Sequence, residues 1–187
     1  HLKMGYISDP TLISNIPSLL QSLSFTTTLK LTAPLMSEFP RALETLEARC
    51  TIEPDAFSGL PPYLTRLVVQ KYETPDMATF RLLPPTLTSL EVGTRSQKRG
   101  PLRILPHLPR GLLSLTCNFV RFNVEEVMSM PPKMTILETR SDIPIEVLCF
   151  LPRTIHHLSF EMFVVTDTSF QILSERHPES LEIEQFS

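Results

Sequence analysis

The side chains best suited to chemistry in this 187-residue sequence are few, and their spacing argues against that use. His156 and His157 stand near Cys149 and Glu161, types that serve acid–base catalysis or metal binding elsewhere. Their separations match no metal-ligand pattern, and the three cysteines form no CxxC pair. Alternation along the adjoining segment puts His157 outward on a strand and His156 on the path leading into it. Cys117 falls at an inward strand position and Cys50 follows a strand in register, so both read as packed thiols rather than nucleophiles. GxSxG, Walker-loop and HExxH motifs are missing, and five glycines leave little room for a phosphate cradle. The expectation is therefore a protein that is not an enzyme, with no catalytic residue, no metal and no cofactor.

Basic residues give no stronger signal. The stretch TRSQKRGPLR carries Arg95, Lys98, Arg99 and Arg103, and reads as a solvated insertion rather than a phosphate contact. Arg41, Arg110 and Arg153 share one repeat column with Pro62, Pro85 and Pro132, a position that accepts any surface-compatible residue. Seventeen basic against twenty acidic side chains leave a formal charge of −3, which gives no pull toward nucleic acid. No apolar run reaches the roughly 18 residues of a membrane span, and no signal-peptide pattern opens the chain. It starts at His1 rather than Met, so it is expected to be a piece of a longer protein, and the missing signal carries little weight. Unpaired cysteine usage points to a reducing, intracellular and cytoplasmic setting.

What the sequence does position is a repeat. Eighteen prolines recur at intervals inside apolar sequence instead of gathering in linkers. The string apolar–Pro–x–x–apolar–x–x–Leu–x–apolar starts at Ile16, Phe39, Leu60, Leu83, Leu108, Met130 and Leu151, at intervals of 21 to 25 residues. Seven prolines (17, 40, 61, 84, 109, 131 and 152) fall in one column. Seven leucines (Leu23, Leu46, Leu67, Leu90, Leu115, Leu137 and Leu158) fall in another. Each leucine opens a two-residue alternation, the mark of a strand with one face buried. One unit cannot bury that face alone, so the units must stack side by side. Proline suits the turn before each strand, and the doubled prolines at 61–62, 84–85 and 131–132 are expected to make it stiffer and more extended.

The rest of each unit must return behind the sheet. Helix-start chemistry is found at Asp55, Asp76, Asn123 with Glu126, Asp142, and Thr168 with Gln171. Phe57, Phe80, Val127, Leu148 and Phe170 would pack down from those turns. Residues 1–14 lack the motif and read as the tail of a preceding unit. Residues 174–187 read as an eighth, degenerate and terminal strand near 180–184, with Leu181 and Ile183 inward. The whole of 1–187 is expected to be a single domain.

These units, typified by LPPTLTSLEV at 83–92, resemble leucine-rich repeats of the subtype with a proline before the strand. They are similar to the FNIP-type repeats of amoebal proteins and to the LP-rich repeats of bacterial ubiquitin-ligase effectors. Only the fifth unit carries the effector-like asparagine, Asn118, and only that unit carries Phe-Asn, as Phe122–Asn123. The resemblance covers about residues 15 to 184. It implies an α/β repeat solenoid, a leucine-rich-repeat horseshoe with a parallel sheet on the concave face and short helical, 3-10 or irregular segments on the convex face. It also implies a protein-recognition module, in the finer reading the substrate-selecting part of a ubiquitin ligase. The alternative is a structural or assembly subunit of a larger complex.

Outward strand positions then form the concave surface. The candidate partner-binding residues are Glu47, Arg49, Arg66, Val68, Gln70, Glu91, Asn118, Ile136, Glu138, Arg140, His157 and Glu161. Arg66, Val68, Ile136 and His157 are the expected anchors, being bulky residues on an otherwise polar sheet. A central column of Glu47, Glu91, Glu138 and Glu182 would suit a protein partner with spaced Lys or Arg. Nucleic acid and membrane are not expected partners.

Overall fold

The computed structural model describes residues 1–72, 77–93, 104–118, 122–140, 143–160, 171, 175 and 182–185, with backbone only at 70–72, 77–78, 145 and 182–185. Among the described residues nine strands run in chain order: β1 (Leu2–Ile7), β2 (Ser22–Leu31), β3 (Thr45–Ile52), β4 (Arg66–Tyr72), β5 (Ser89–Val92), β6 (Ser114–Cys117), β7 (Ile136–Thr139), β8 (His157–Phe160) and β9 (Glu182–Gln185). They form one sheet whose spatial order is the sequence order, and every neighbouring pair is parallel. Short returns lie between them: α1 (Thr11–Ser14), α2 (Ala33–Ser37), α3 (Met77–Phe80), α4 (Val124–Met128), α5 (Ile145–Leu148) and 3-10 turns at Pro54–Gly59 and Leu105–His107. This is an α/β repeat solenoid of leucine-rich-repeat type. No helix among the described residues is long and apolar enough to cross a membrane.

The leucine column is the seam of the core. Leu23, Leu46, Leu67, Leu90, Leu115, Leu137 and Leu158 pair in register from strand to strand and are at most 1% exposed. Burying each contributes about 1.5–3 kcal/mol relative to leaving it in water. Among the described residues none of the returns exceeds six residues, so none of these would persist alone. They are held by apolar side chains driven into the seam, among them Phe57, Phe80, Val127 and Leu148, each at most 2% exposed. Phe170 lies outside the described residues. Two ring pairs, Phe25–Phe39 and Phe57–Phe80, have centroids 6.0 Å apart and tilted planes, a favoured aromatic arrangement. At Gly59 a Cβ would come within 2.7 Å of the Ala33 carbonyl oxygen, so the 3-10 turn approaches α2 as closely as backbones allow.

The proline column has a sharper role than stiffening. In all seven units the proline carbonyl accepts a hydrogen bond from the N–H three residues on: Pro17 from Leu20, Pro40 from Leu43, Pro61 from Leu64, Pro84 from Leu87, Pro109 from Leu112, Pro131 from Met134 and Pro152 from Ile155, at 3.0–3.2 Å. The proline therefore opens a β-turn. The second prolines (62, 85 and 132) occupy the next turn position, which a fixed φ favours. The turn expected before each strand is thus present, with Arg41, Arg110 and Arg153 taking the same position in three other units.

Two further bonds stitch each unit to its neighbour. The carbonyl just before each strand accepts two N–H groups from the following unit, as at Glu44, Thr65, Thr88, Leu113 and Thr135. The single hydroxyl proton of Thr86 lies between the carbonyls of Pro62 and Leu64, and that of Thr154 between those of Pro132 and Met134, so one turn's hydroxyl closes the turn before it.

The ends and caps also sharpen the sequence reading. Residues 1–14 form β1 and α1, with Leu2 opposite Leu23. Asn123 caps α4, its side-chain oxygen accepting from the Glu126 N–H at 2.8 Å. Asp55 does not cap: Glu53 holds that position without a side-chain bond, and Asp55 lies inside the 3-10 turn. Asp76, Asp142 and Thr168 lie outside the described residues.

Candidate protein-interaction face

Outward residues of the sheet stand in three columns because parallel register aligns every second residue across the strands. The first runs Ser22, Thr45, Arg66, Ser89, Ser114, Ile136, His157 and Glu182. By register the central one runs Ser24, Glu47, Val68, Glu91, Thr116, Glu138, Ser159 and Glu184, of which Ser159 is buried and Glu184 is placed by its backbone alone. Glu184 thus takes the central place expected for Glu182, because Ile183 rather than Leu181 pairs with Leu158. Thr26 and Arg49 pair in a third column, and Gly93, Asn118 and Arg140 directly follow β5, β6 and β7. Gln70 belongs to β4, of which only the backbone is described there, and Glu161 lies outside the described residues, as do Arg95, Lys98, Arg99 and Arg103.

Two polar clusters form among these positions. In the first, Arg66 Nε lies 3.6 Å from Glu47 Oε1 while its Nη1 donates to Ser89 Oγ at 3.1 Å. Both charged side chains are well exposed, so this pair contributes at most about 1 kcal/mol and mainly fixes where the guanidinium sits. In the second, Thr116 Oγ1 donates to Glu138 Oε2 at 3.1 Å, and His157 Nε2 stands 3.4 Å from Glu138 Oε1. His156, exposed on the approach to β8, is not part of it. Among the described residues no group of three His, Cys, Asp or Glu side chains could hold a metal.

The expected anchors are presented unequally. Arg66 is exposed, Ile136 and His157 are half-buried, and Val68 is only 5% exposed. A short side chain flanked in register by Glu47 and Glu91, with Arg66 two residues back on its own strand, is shielded by longer neighbours. Arg49 and Arg140 are exposed at the rim. Position along the alternation is readable in sequence, but this shielding depends on which residues neighbour across strands.

The face extends one strand further than the repeat motif marked. On β1, Lys3 stands opposite Ser24 and Tyr6 opposite Thr26. Tyr6, 62% exposed, has its hydroxyl 2.6 Å from Thr28 Oγ1, and His1 Nδ1 lies 2.7 Å from Ser22 Oγ. The alternation of Leu2 and Met4 was the available signal, interrupted by a register shift between Lys3 and Tyr6.

Cys117 is fully buried, and burial pushes its thiol up to about 12, partly opposed by a hydrogen bond with Thr139. It is a packed thiol, not a nucleophile, and Cys50 is likewise buried.

No protein-family model matches this chain and no curated protein matches it. Among solved structures, the circular leucine-rich-repeat protein CroV588 matches 78% of this chain at 19% identity with a TM-score of 0.38. The chain spans 27% of that protein's length. The leucine-rich-repeat-like fold stands on the strand order, the in-register leucine seam and the stacked short returns of this chain itself.

Proposed function

We propose that this chain is a protein-recognition module that takes a protein partner on the open face of its sheet. The observation that supports this most is the ordered array of outward polar side chains fixed by strand register and by the Glu47–Arg66–Ser89 and Thr116–Glu138–His157 clusters. A prearranged surface loses less side-chain freedom on binding. With adjacent strands about 4.8 Å apart, nine strands give a face on the order of 38 Å long, enough for a standard protein interface. Its described charged side chains, Glu47, Glu91 and Glu138 with Lys3, Arg49, Arg66 and Arg140, are of mixed sign, which suits a protein rather than a polyanion. The finer role, selecting substrates for a ubiquitin ligase, draws on the resemblance to LP-rich effector repeats.

A second reading, a subunit held in a larger assembly, is favoured by the back of the molecule. Met128 and Phe150, 69% and 42% exposed, line a shallow groove together with Val127, Met130 and Cys149. Proteins captured by the immobilised chain separate the two. Recognition through the open face predicts partners lost on Glu47→Lys/Glu138→Lys and kept on Met128→Glu/Phe150→Glu. The reverse pattern would favour the assembly reading and reject the first.

A further inference from the structure

The two charged clusters occupy the flanks of the open face, and the strands between them carry almost no long side chains. From β5 into the residue after it the face presents Ser89, Glu91 and Gly93; from β6 it presents Ser114, Thr116 and Asn118. On one side stands Arg66, held by Glu47 and Ser89. On the other stand Ile136 and Glu138, the latter held by Thr116 and His157. From β4 to β7 is three strand spacings, on the order of 14 Å, room for an extended segment or for a helix about 10–12 Å across.

Glu91 is half-buried on the floor of this trough. Its register neighbours are Val68, which has no polar side-chain atom, and Thr116. A threonine has a single O–H to donate, and that of Thr116 goes to Glu138. Glu47 and Glu138 each have partners on the face, whereas no hydrogen bond or ion pair of the Glu91 carboxylate is found among the described residues. The column of glutamates is therefore electrically uneven. Glu47 and Glu138 are engaged, and the Glu91 carboxylate between them faces a gap lined by small side chains.

Building on the recognition reading above, we propose that Glu91 receives a single lysine or arginine side chain from a protein segment lying across β5 and β6. A spaced series of basic residues is not required, because the flanking glutamates are already engaged. A partner's cation would meet an acceptor that gives up no internal bond on binding, and the small neighbours leave its approach open.

A library of random dodecapeptides selected on the immobilised full chain, followed by titration of the enriched peptides in solution, tests this. Enriched sequences should share one Lys or Arg. Glu91→Gln should weaken them about tenfold, the scale of a close cross-interface charge pair, while Glu125→Gln on the back leaves them unchanged. Glu91→Lys should abolish binding and regain it when the peptide's basic residue is changed to Glu. Peptides that ignore Glu91→Gln but respond to Glu138→Gln or Arg49→Gln would overturn this inference and leave the recognition reading standing. Peptides indifferent to every open-face substitution would overturn both. A selection that enriches no basic residue, or enriches nothing, counts against the Glu91 site alone.

Discussion

Strands β2, β3 and β4 run ten, eight and seven residues, while β5 to β8 run four each, although all seven carry the column leucine as their second residue. The difference lies after the second inward residue. β3 continues its alternation through Ala48, Cys50 and Ile52, all at most 1% exposed, so extending the strand buries more apolar surface. β5 reaches Val92 and then meets Gly93; β6 reaches Cys117 and then Asn118; neither residue favours a strand. Lengthening has a structural cost. The register shifts between Thr26 and Lys30 against β3, and again between Ala48 and Thr51 against β4. Thr27 absorbs part of the first shift: it turns inward, donates to the Ile7 carbonyl and accepts from the Leu29 N–H. The leucine column sets where strands begin, and the residues beyond the second inward position set how far ladder bonding extends. In a stack of near-equal units, stability is roughly a sum of unit and interface terms, so the long-strand half should be the sturdier.

The largest test of that contrast is Phe57→Ala, which removes one ring of the Phe57–Phe80 pair behind β3 and β4. It should cost about 3–5 kcal/mol in urea unfolding; a loss below about 1 kcal/mol would mean the aromatic pair does not anchor this half. Gly59→Ala should cost about 1–3 kcal/mol, since its Cβ meets Ala33 and Ser37 at 2.7 and 2.9 Å. Gly111→Ala, before the four-residue strand β6, finds its nearest neighbour at 3.7 Å and should stay within about 0.5 kcal/mol. Equal effects at the two glycines would erase the contrast in steric clearance between the two positions.

Cys117 on β6 gives the shorter half a pH dependence. Its folded value near 12 lies above the ordinary 9.0, so the unfolded chain releases a proton first. Its contribution is fully present below pH 9 and declines as pH rises toward 12, at up to about 1.4 kcal/mol per unit. Comparing denaturant midpoints of the wild type and Cys117→Val at pH 8 and pH 10 isolates it; parallel declines would refute it. A modest loss is expected at the threonine stitches, where Thr86→Val and Thr154→Val should each lower stability by about 1 kcal/mol. Thermal melts can check whether Thr86, joining a long strand to a short one, costs more than Thr154 between two short ones.

Strand starts were legible because leucine and proline recur in fixed columns, each dictated by one local requirement: burial for the first, a turn for the second. Strand ends were not, since the run of Thr27, Leu29 and Leu31 pairs only after a register shift that depends on β3. The outward positions of Glu47, Arg66, Glu91 and Glu138 followed from alternation alone. Their energetic inequality did not, because the partners Ser89, Thr116 and His157 stand about 20 residues away in sequence and meet them only across strands. The same holds for Val68, whose shielding is a property of its neighbours. β9 sits two residues from its expected register because Leu181 and Ile183 fit the alternation equally well, and only pairing to Leu158 distinguishes them.

The seven proline-opened turns have a consequence for how this molecule tolerates change. Unit lengths vary from 21 to 25 residues, yet Leu67, Leu90 and Leu115 stay aligned across the longest of them. Each turn acts as a phase reset: whatever its return path has done, the chain re-enters the sheet at the same point. Length changes upstream of a turn are absorbed locally and not passed on to later strands. Segments of new sequence could be spliced between a strand's end and the following proline without rotating any downstream side chain from core to surface, which makes these junctions natural points for diversification.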